Sequence, residues 1–174
     1  MLAVYAGFNW IPALLSGAGW AVPNASGGIF YFNLGGVFGA ITAGLLIARF
    51  GSKPTMLTVS VAAVISTLVL AKMKITATDP VLPVLAMLTI AGGLINAQMT
   101  TLYALAANVY PAAVRATGVG TAVAFGRLGA VLSASVGSKM LDLGGHAYYF
   151  ASMAAAMAVC FAGLAMIQRH VRHK

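Results

Sequence analysis

YPAAVRATGVGTAVAFGRLGAVLSASVGS, residues 110–138, decides how this chain is read. It opens on a proline turn and a cation, Arg115, then becomes an apolar run rich in Gly, Ala and Ser. Arg127 sits in the middle of that run, ten residues beyond Thr117. At about 1.5 Å per residue of helix it lies roughly 15 Å deep, half-way through a hydrocarbon core of about 30 Å. An arginine at the bilayer centre costs about 2.5–3.5 kcal/mol on insertion scales, and is normally turned toward a cavity, a partner or a substrate.

The rest of the chain has the composition of an integral membrane protein. Of its 174 residues 61% are hydrophobic and 7% charged, against about 25% charged in soluble domains, and the mean hydropathy is +0.95. The net charge of +8 comes from cations at the ends of apolar segments. There they set topology, so the charge does not signal a nucleic-acid partner. Cys160 is the single cysteine, which excludes a disulfide within the chain, and it lies in an apolar run. The first residues, MLAVYAGFNWIPALL, lack the charged leader of a signal peptide and read as a helix already under way, the mark of a truncated or half-length chain.

Six segments are long enough to span, taking about 20 apolar residues per helix. They fall at about 1–20 (with Pro12 inside), 28–48, 55–71, 81–107, 117–138 and 147–167, with a polar connection, KMKITATDP, after the third. Six spans put both termini on one side. If that side is the cytoplasm, the inner segments carry Arg49, Lys53, Arg115, Arg169, Arg172 and Lys174, against Lys72, Lys74 and Lys139 outside. That asymmetry favours cytoplasmic termini in a multi-pass cell (inner) membrane protein. Both acidic residues, Asp79 and Asp142, then lie outside. Small residues recur every four positions: Gly36, Ala40, Gly44 and Ala48 in the second span, and Ala122, Gly126, Ala130, Ala134 and Ser138 in the fifth. Such ladders let helix backbones approach closely in lipid.

Two stretches are specific. GLLIARFGSKP, residues 44–54, is a short turn carrying two cations between the second and third spans. It resembles the signature loop of the major facilitator superfamily, with Gly44, Arg49, Gly51 and Lys53 in matching places and Ala48 where that pattern has an acid. YPAAVRATGVG with GRLGA at 126–130, together with NWIPALL at 9–15, resembles the aromatic acid:proton symporters of that superfamily. The resemblance covers essentially the whole chain as the second half of a twelve-helix protein. It implies an all-α polytopic membrane fold, a single domain over 1–174 made of two inverted three-helix repeats at about 1–72 and 81–168, with a basic cytoplasmic tail at 169–174. It also implies a substrate site near the midplane, between this half and an N-terminal six-helix half that is not in the chain.

Each candidate residue carries a functional and a structural reading. Arg127 would neutralise a substrate carboxylate through a planar, two-pronged match. Its structural reading pairs it with backbone carbonyls or with the other half. Arg115 is either a gate at the cytoplasmic mouth or a topology anchor, and Arg49 and Lys53 belong to topology and gating. Asn96, Thr100, Tyr103 and Ala107 share a face of the fourth span, while Gln98 points elsewhere. Asn96 and Tyr103 are candidates to bond a substrate or, equally, another helix. Asn9 and Trp10 precede the Pro12 break, where they would line a pathway or simply pack. Trp20, Tyr148, Tyr149, Phe30, Tyr31 and Phe32 read as interfacial-belt aromatics, and Asn33 lies deeper.

No span contains Asp, Glu or His; the histidines are His146, His170 and His173. A proton-coupled pathway needs a titratable group, so the proton carrier of a full-length symporter would come from the absent half. There is no paired carboxylate, no Cys/His metal spacing and no phosphate loop, so neither an enzyme nor a cofactor is expected. The glycines of GVGTAVAFG follow no strand, so a dinucleotide reading fails. The reading reached is transport of a small organic anion, an aromatic carboxylate, with a proton. A porter half for sugars or other organic solutes, or a non-transporting membrane fragment, are the alternatives.

Overall fold

The structure is a computed structural model that describes residues 1–76, 78 and 80–167. Asp79 and the tail at 168–174 lie outside the described residues, and with them the expectations placed on Arg169, Arg172, Lys174, His170 and His173. The regular structure of the described residues is entirely α-helical: α1 (Leu2–Gly17), α2 (Val22–Phe50), α3 (Ser52–Lys72), α4 (Val81–Val109) and α5 (Arg115–Met166).

Glycine and proline set the boundaries. α1 ends at Gly17, short of the expected residue 20, because Gly19 turns the chain at φ 87°. α2 stops at Gly51, whose φ of 84° is open to glycine without steric cost, and α3 starts in the next residue with Pro54 in its first turn. α4 is capped by Pro80 and ends at Tyr110, which is extended ahead of Pro111. α5 is broken internally at Gly144 and at Gly145, where φ 62° and ψ −148° form a conformation that side chains strongly resist. The break divides α5 into a first and a second arm. The six apolar segments expected from hydropathy therefore form five helices, the last two being joined through this glycine break rather than a loop. Four of them, α2 to α5, are long and apolar enough to cross a membrane, and α1 is a shorter apolar helix of 16 residues.

Two close crossings organise the bundle. Gly28 of α2 meets Leu88 of α4, and Gly36 meets Asn96, so the two helices run parallel. Along the same crossing a Cβ at Gly35 or Gly39 would be driven into the carbonyl oxygens of Thr89 and Gly93, and one at Gly92 into that of Phe32. α1 runs parallel to the first arm of α5 in the same manner. Gly126 faces Met1, Gly129 faces Leu2, Ser133 bonds Asn9 and Gly137 holds Trp10. The ladders expected from spacing are thus displaced. The α2 crossing uses Gly35, Gly36 and Gly39, while Gly44 has no neighbour where a Cβ would stand. In α5 the face is Gly126, Gly129, Ser133 and Gly137, and Ala134 is exposed.

Three aromatics expected at the membrane interface are core residues instead. Tyr149 and Phe32 are fully buried, Phe32 because Gly7 leaves room for its ring and Gly92 for its backbone. Trp20 is buried with its Nε1 donating to the Thr76 carbonyl at 2.9 Å, tying the end of α1 to the connection after α3. Tyr148 and Phe30 are exposed. The outer faces remain apolar: Phe38, Leu45, Phe125, Val131 and Val159 are each more than half exposed, as suits helices solvated by lipid. Hydroxyls and amides on these helices bond back to the preceding turn, as Thr55 does to Gly51, Thr121 to Thr117 and Asn33 to Ile29. This satisfies them where no water is at hand.

Candidate functional site

The second half of α4 and the start of α5 converge because the Pro111 turn reverses the chain between them. A cavity of about 420 Å³ lies along this junction, with Leu102, Tyr103, Ala106 and Tyr110 on one side, Val119, Ala122 and Gly126 on the other, and Met1 closing it. Its volume falls within the ~300–1,000 Å³ usual for small-molecule sites. Its walls are apolar apart from the tyrosines. The Tyr110 ring packs where a Cβ on Gly118 would lie 2.8 Å from it, so this glycine lets the ring close the end of the cavity nearest the 110–114 turn. Arg115 donates from Nε to the Tyr110 carbonyl at 3.4 Å, stitching the turn to the first residue of α5.

Arg127 follows Gly126 on α5 and stands beside the cavity rather than in its wall. It is exposed and makes no hydrogen bond or ion pair with another described residue. Tyr103 lies within its electrostatic reach, as does Tyr5 within that of Tyr103. The fold therefore brings together Tyr103 and Arg127, which sequence spacing nominated separately, on helices joined only by the 110–114 turn. A guanidinium with no partner among the described residues can take an anionic group, and a phenol hydroxyl in its electrostatic reach can donate or accept a hydrogen bond.

Other nominated residues take other places. Asn96 packs on Gly36 at the α2–α4 crossing and donates from Nδ2 to the Gly92 carbonyl at 2.9 Å. Asn9 donates from Nδ2 to Ser133 Oγ at 3.3 Å, bridging α1 and α5. The Trp10 ring edge sits against Gly137, and its buried Nε1 has no hydrogen-bond partner. In the signature loop, Gly51 makes the turn. Arg49 lies 5.5 Å from the Phe50 ring centroid, and Lys53 is exposed in the first turn of α3. Gly44 has open space where a Cβ would stand.

Sequence reasoning gave no role to Tyr110 or Ser133, and named Gln98 only as lying off the polar face of the fourth span. Tyr110 was legible only as part of a turn, and Ser133 as one hydroxyl in an apolar run. Gln98 is buried with neither amide atom bonded; an amide in an apolar helix was the signal available for it. Among the described residues no three His, Cys, Asp or Glu side chains gather to hold a metal ion.

Comparison with known proteins agrees with the membrane fold. The family model described as Major Facilitator Superfamily matches residues 1–174. The chain is 35% identical over 144 residues to the 3-(3-hydroxy-phenyl)propionate transporter of Escherichia coli K12, covering 83% of this chain and 34% of that protein. It is 32% identical over 150 residues to the 4-hydroxybenzoate transporter PcaK of Pseudomonas aeruginosa, covering 83% and 31%. It is 29% identical over 144 residues to the gallate transporter of Pseudomonas putida, covering 83% and 31%. The chain spans about a third of the length of these relatives. No solved structure matches it significantly. With every residue inside the family model and an all-helical, apolar bundle to match, this chain belongs to the major facilitator superfamily.

Proposed function

We propose that this chain is the C-terminal six-helix half of a transporter that carries a small aromatic carboxylate across the cell (inner) membrane with a proton. The observation that carries the reading is Arg127, exposed and unpaired in the middle of an apolar helix, with Tyr103 in reach. A cation at mid-membrane depth with no partner is costly, and a substrate carboxylate arriving from the facing half would relieve that cost. The similar proteins named above transport hydroxyphenylpropionate, hydroxybenzoate and gallate. All three are carboxylates on hydroxylated rings, the functional groups an Arg127–Tyr103 pair would recognise.

The architecture favours two three-helix repeats. Exchanging α1 with α4 and the first arm of α5 with α2 maps the α1–α5 crossing onto the α4–α2 crossing. Both are parallel pairs closed by glycines. In this reading Arg49, Lys53 and Arg115 sit at the cytoplasmic ends, where the loops latch one state, and both termini are cytoplasmic. The spans carry no Asp, Glu or His, so the coupling proton is carried by the other half.

The test replaces the matching third of the E. coli hydroxyphenylpropionate transporter with residues 1–174 and measures uptake of labelled hydroxyphenylpropionate and 4-hydroxybenzoate in cells lacking their own carrier. Uptake that collapses with Arg127→Ala at unchanged membrane insertion supports the reading. Undiminished uptake with alanine at 127 assigns that arginine to structure. An inserted chimera that moves neither acid, nor a sugar offered in parallel, identifies a non-transporting membrane fragment.

A further inference from the structure

A second, smaller cavity of about 120 Å³ lies inside the bundle, between α4, the beginning of α1 and the second arm of α5. Its lining includes Gln98, Met99, Met157 and Cys160. Gln98 is 98% buried, at 2% exposure. Its amide approaches the Cys160 thiol, yet neither Nε2 nor Oε1 makes a hydrogen bond. A buried amide with both ends unmet is a costly feature to leave in a bundle, and it directs attention to what the cavity holds. Met157 and Cys160, three residues apart, lie on one face of the helix, and Met99 follows Gln98 on α4, so two helices present sulfur to one small space.

We propose that this cavity binds a single soft monovalent metal ion, Cu(I) or Ag(I), held by the Cys160 thiolate and the thioethers of Met99 and Met157, with the Gln98 amide donating to the thiolate. Thiolate and thioether donors select such ions over hard cations. Charge selects them too. On binding, the S–H bond of Cys160 breaks, a sulfur–metal bond forms and the proton leaves to solvent. A monovalent ion on a thiolate is then neutral and leaves the Met1 α-amino group, which lines the same cavity and interacts with Cys160, as the one charged neighbour, whereas a divalent ion would add a second positive charge. The thioethers complete the coordination without adding charge. Methionine also fills irregular gaps in cores, but packing alone leaves the Gln98 amide unexplained. The bound ion ties α4 to the second arm of α5.

The whole 174-residue chain in lipid nanodiscs is titrated with Ag(I), and with Cu(I) against a competing chelator. Zn(II) serves as the divalent control. Cys160 is the only cysteine, so maleimide labelling reports its occupancy directly. The expected result is one ion per chain, full protection of Cys160 at equimolar Ag(I), and a raised melting temperature. Met99→Leu and Met157→Leu, which keep volume, each weaken binding about tenfold, and Gln98→Leu weakens it by roughly 10- to 100-fold, the range for outer partners of metal ligands. Circular dichroism confirms that each variant is folded. The proposal is overturned if both leucine variants and Gln98→Leu bind as the parent does, leaving an ordinary thiol adduct. It is equally overturned if Zn(II) competes on level terms, or if the folded chain binds no ion.

Discussion

Gly39→Ala is expected to weaken the bundle, and Gly44→Ala, five residues further along the same helix, is not. A Cβ at Gly39 would lie 2.7 Å from the Cα of Gly93 and 2.6 Å from its carbonyl carbon. Carbon atoms in good contact sit about 3.5–4.0 Å apart, so α2 and α4 must separate by roughly 1 Å or more. Overpacking of this kind costs about 1–3 kcal/mol. Alanine's better helix propensity returns about 0.5–1 kcal/mol of that. The net expectation is a loss of about 1–2 kcal/mol, a factor of roughly 5–30 in the folding equilibrium. Gly44 has nothing within 4 Å of a Cβ, so only the propensity term acts and Gly44→Ala is neutral or slightly stabilising. The assay is reversible unfolding of the purified chain in mixed micelles with increasing SDS, followed by helical circular dichroism. Equal effects at the two positions would refute the crossing, and a larger effect at Gly44 would restore the ladder read from four-residue spacing.

Three further predictions follow from the same geometry. Arg127→Lys in the chimera keeps the charge but loses the planar fork, so uptake should fall about tenfold or more with insertion unchanged, read from initial rates; full uptake would mean that a point charge suffices. Gly145→Ala places a side chain at φ 62° and ψ −148° and should cost about 1–3 kcal/mol, measured by SDS unfolding. An unchanged midpoint would show that the two arms of α5 do not depend on this break. Ser133→Ala removes the acceptor of the Asn9 amide. In a membrane bundle such a bond is worth only about 0.6 kcal/mol, so a small shift is expected, and a loss beyond about 2 kcal/mol would imply a larger network at the α1–α5 crossing.

Much of this protein is written locally. Its composition excludes a soluble fold, because so few charged residues cannot cover a water-facing surface. The breaks at Gly51, before Pro80 and before Pro111 are readable in advance, because glycine opens positive φ and proline bars helix in the residue before it. The motif 44–54 and the stretch 110–130 carry the family. Arg127 stands out because one cation in an apolar run is an energetic anomaly wherever the run ends up. The packing register was not legible. In a soluble helix the apolar stripe marks the inside, but here both faces of α2 are apolar, so hydropathy does not separate lipid from neighbour. Several small-residue ladders coexist on α2, and only the arrival of α4 selects Gly35 and Gly39 over Gly44. For the same reason Phe32, Tyr149 and Trp20 look like interfacial aromatics until the helices that bury them are in place. That Tyr103 lies within the electrostatic reach of Arg127 is likewise tertiary: the Pro111 turn reverses the chain, and the meeting of α4 and α5 decides how near the two helices bring their side chains.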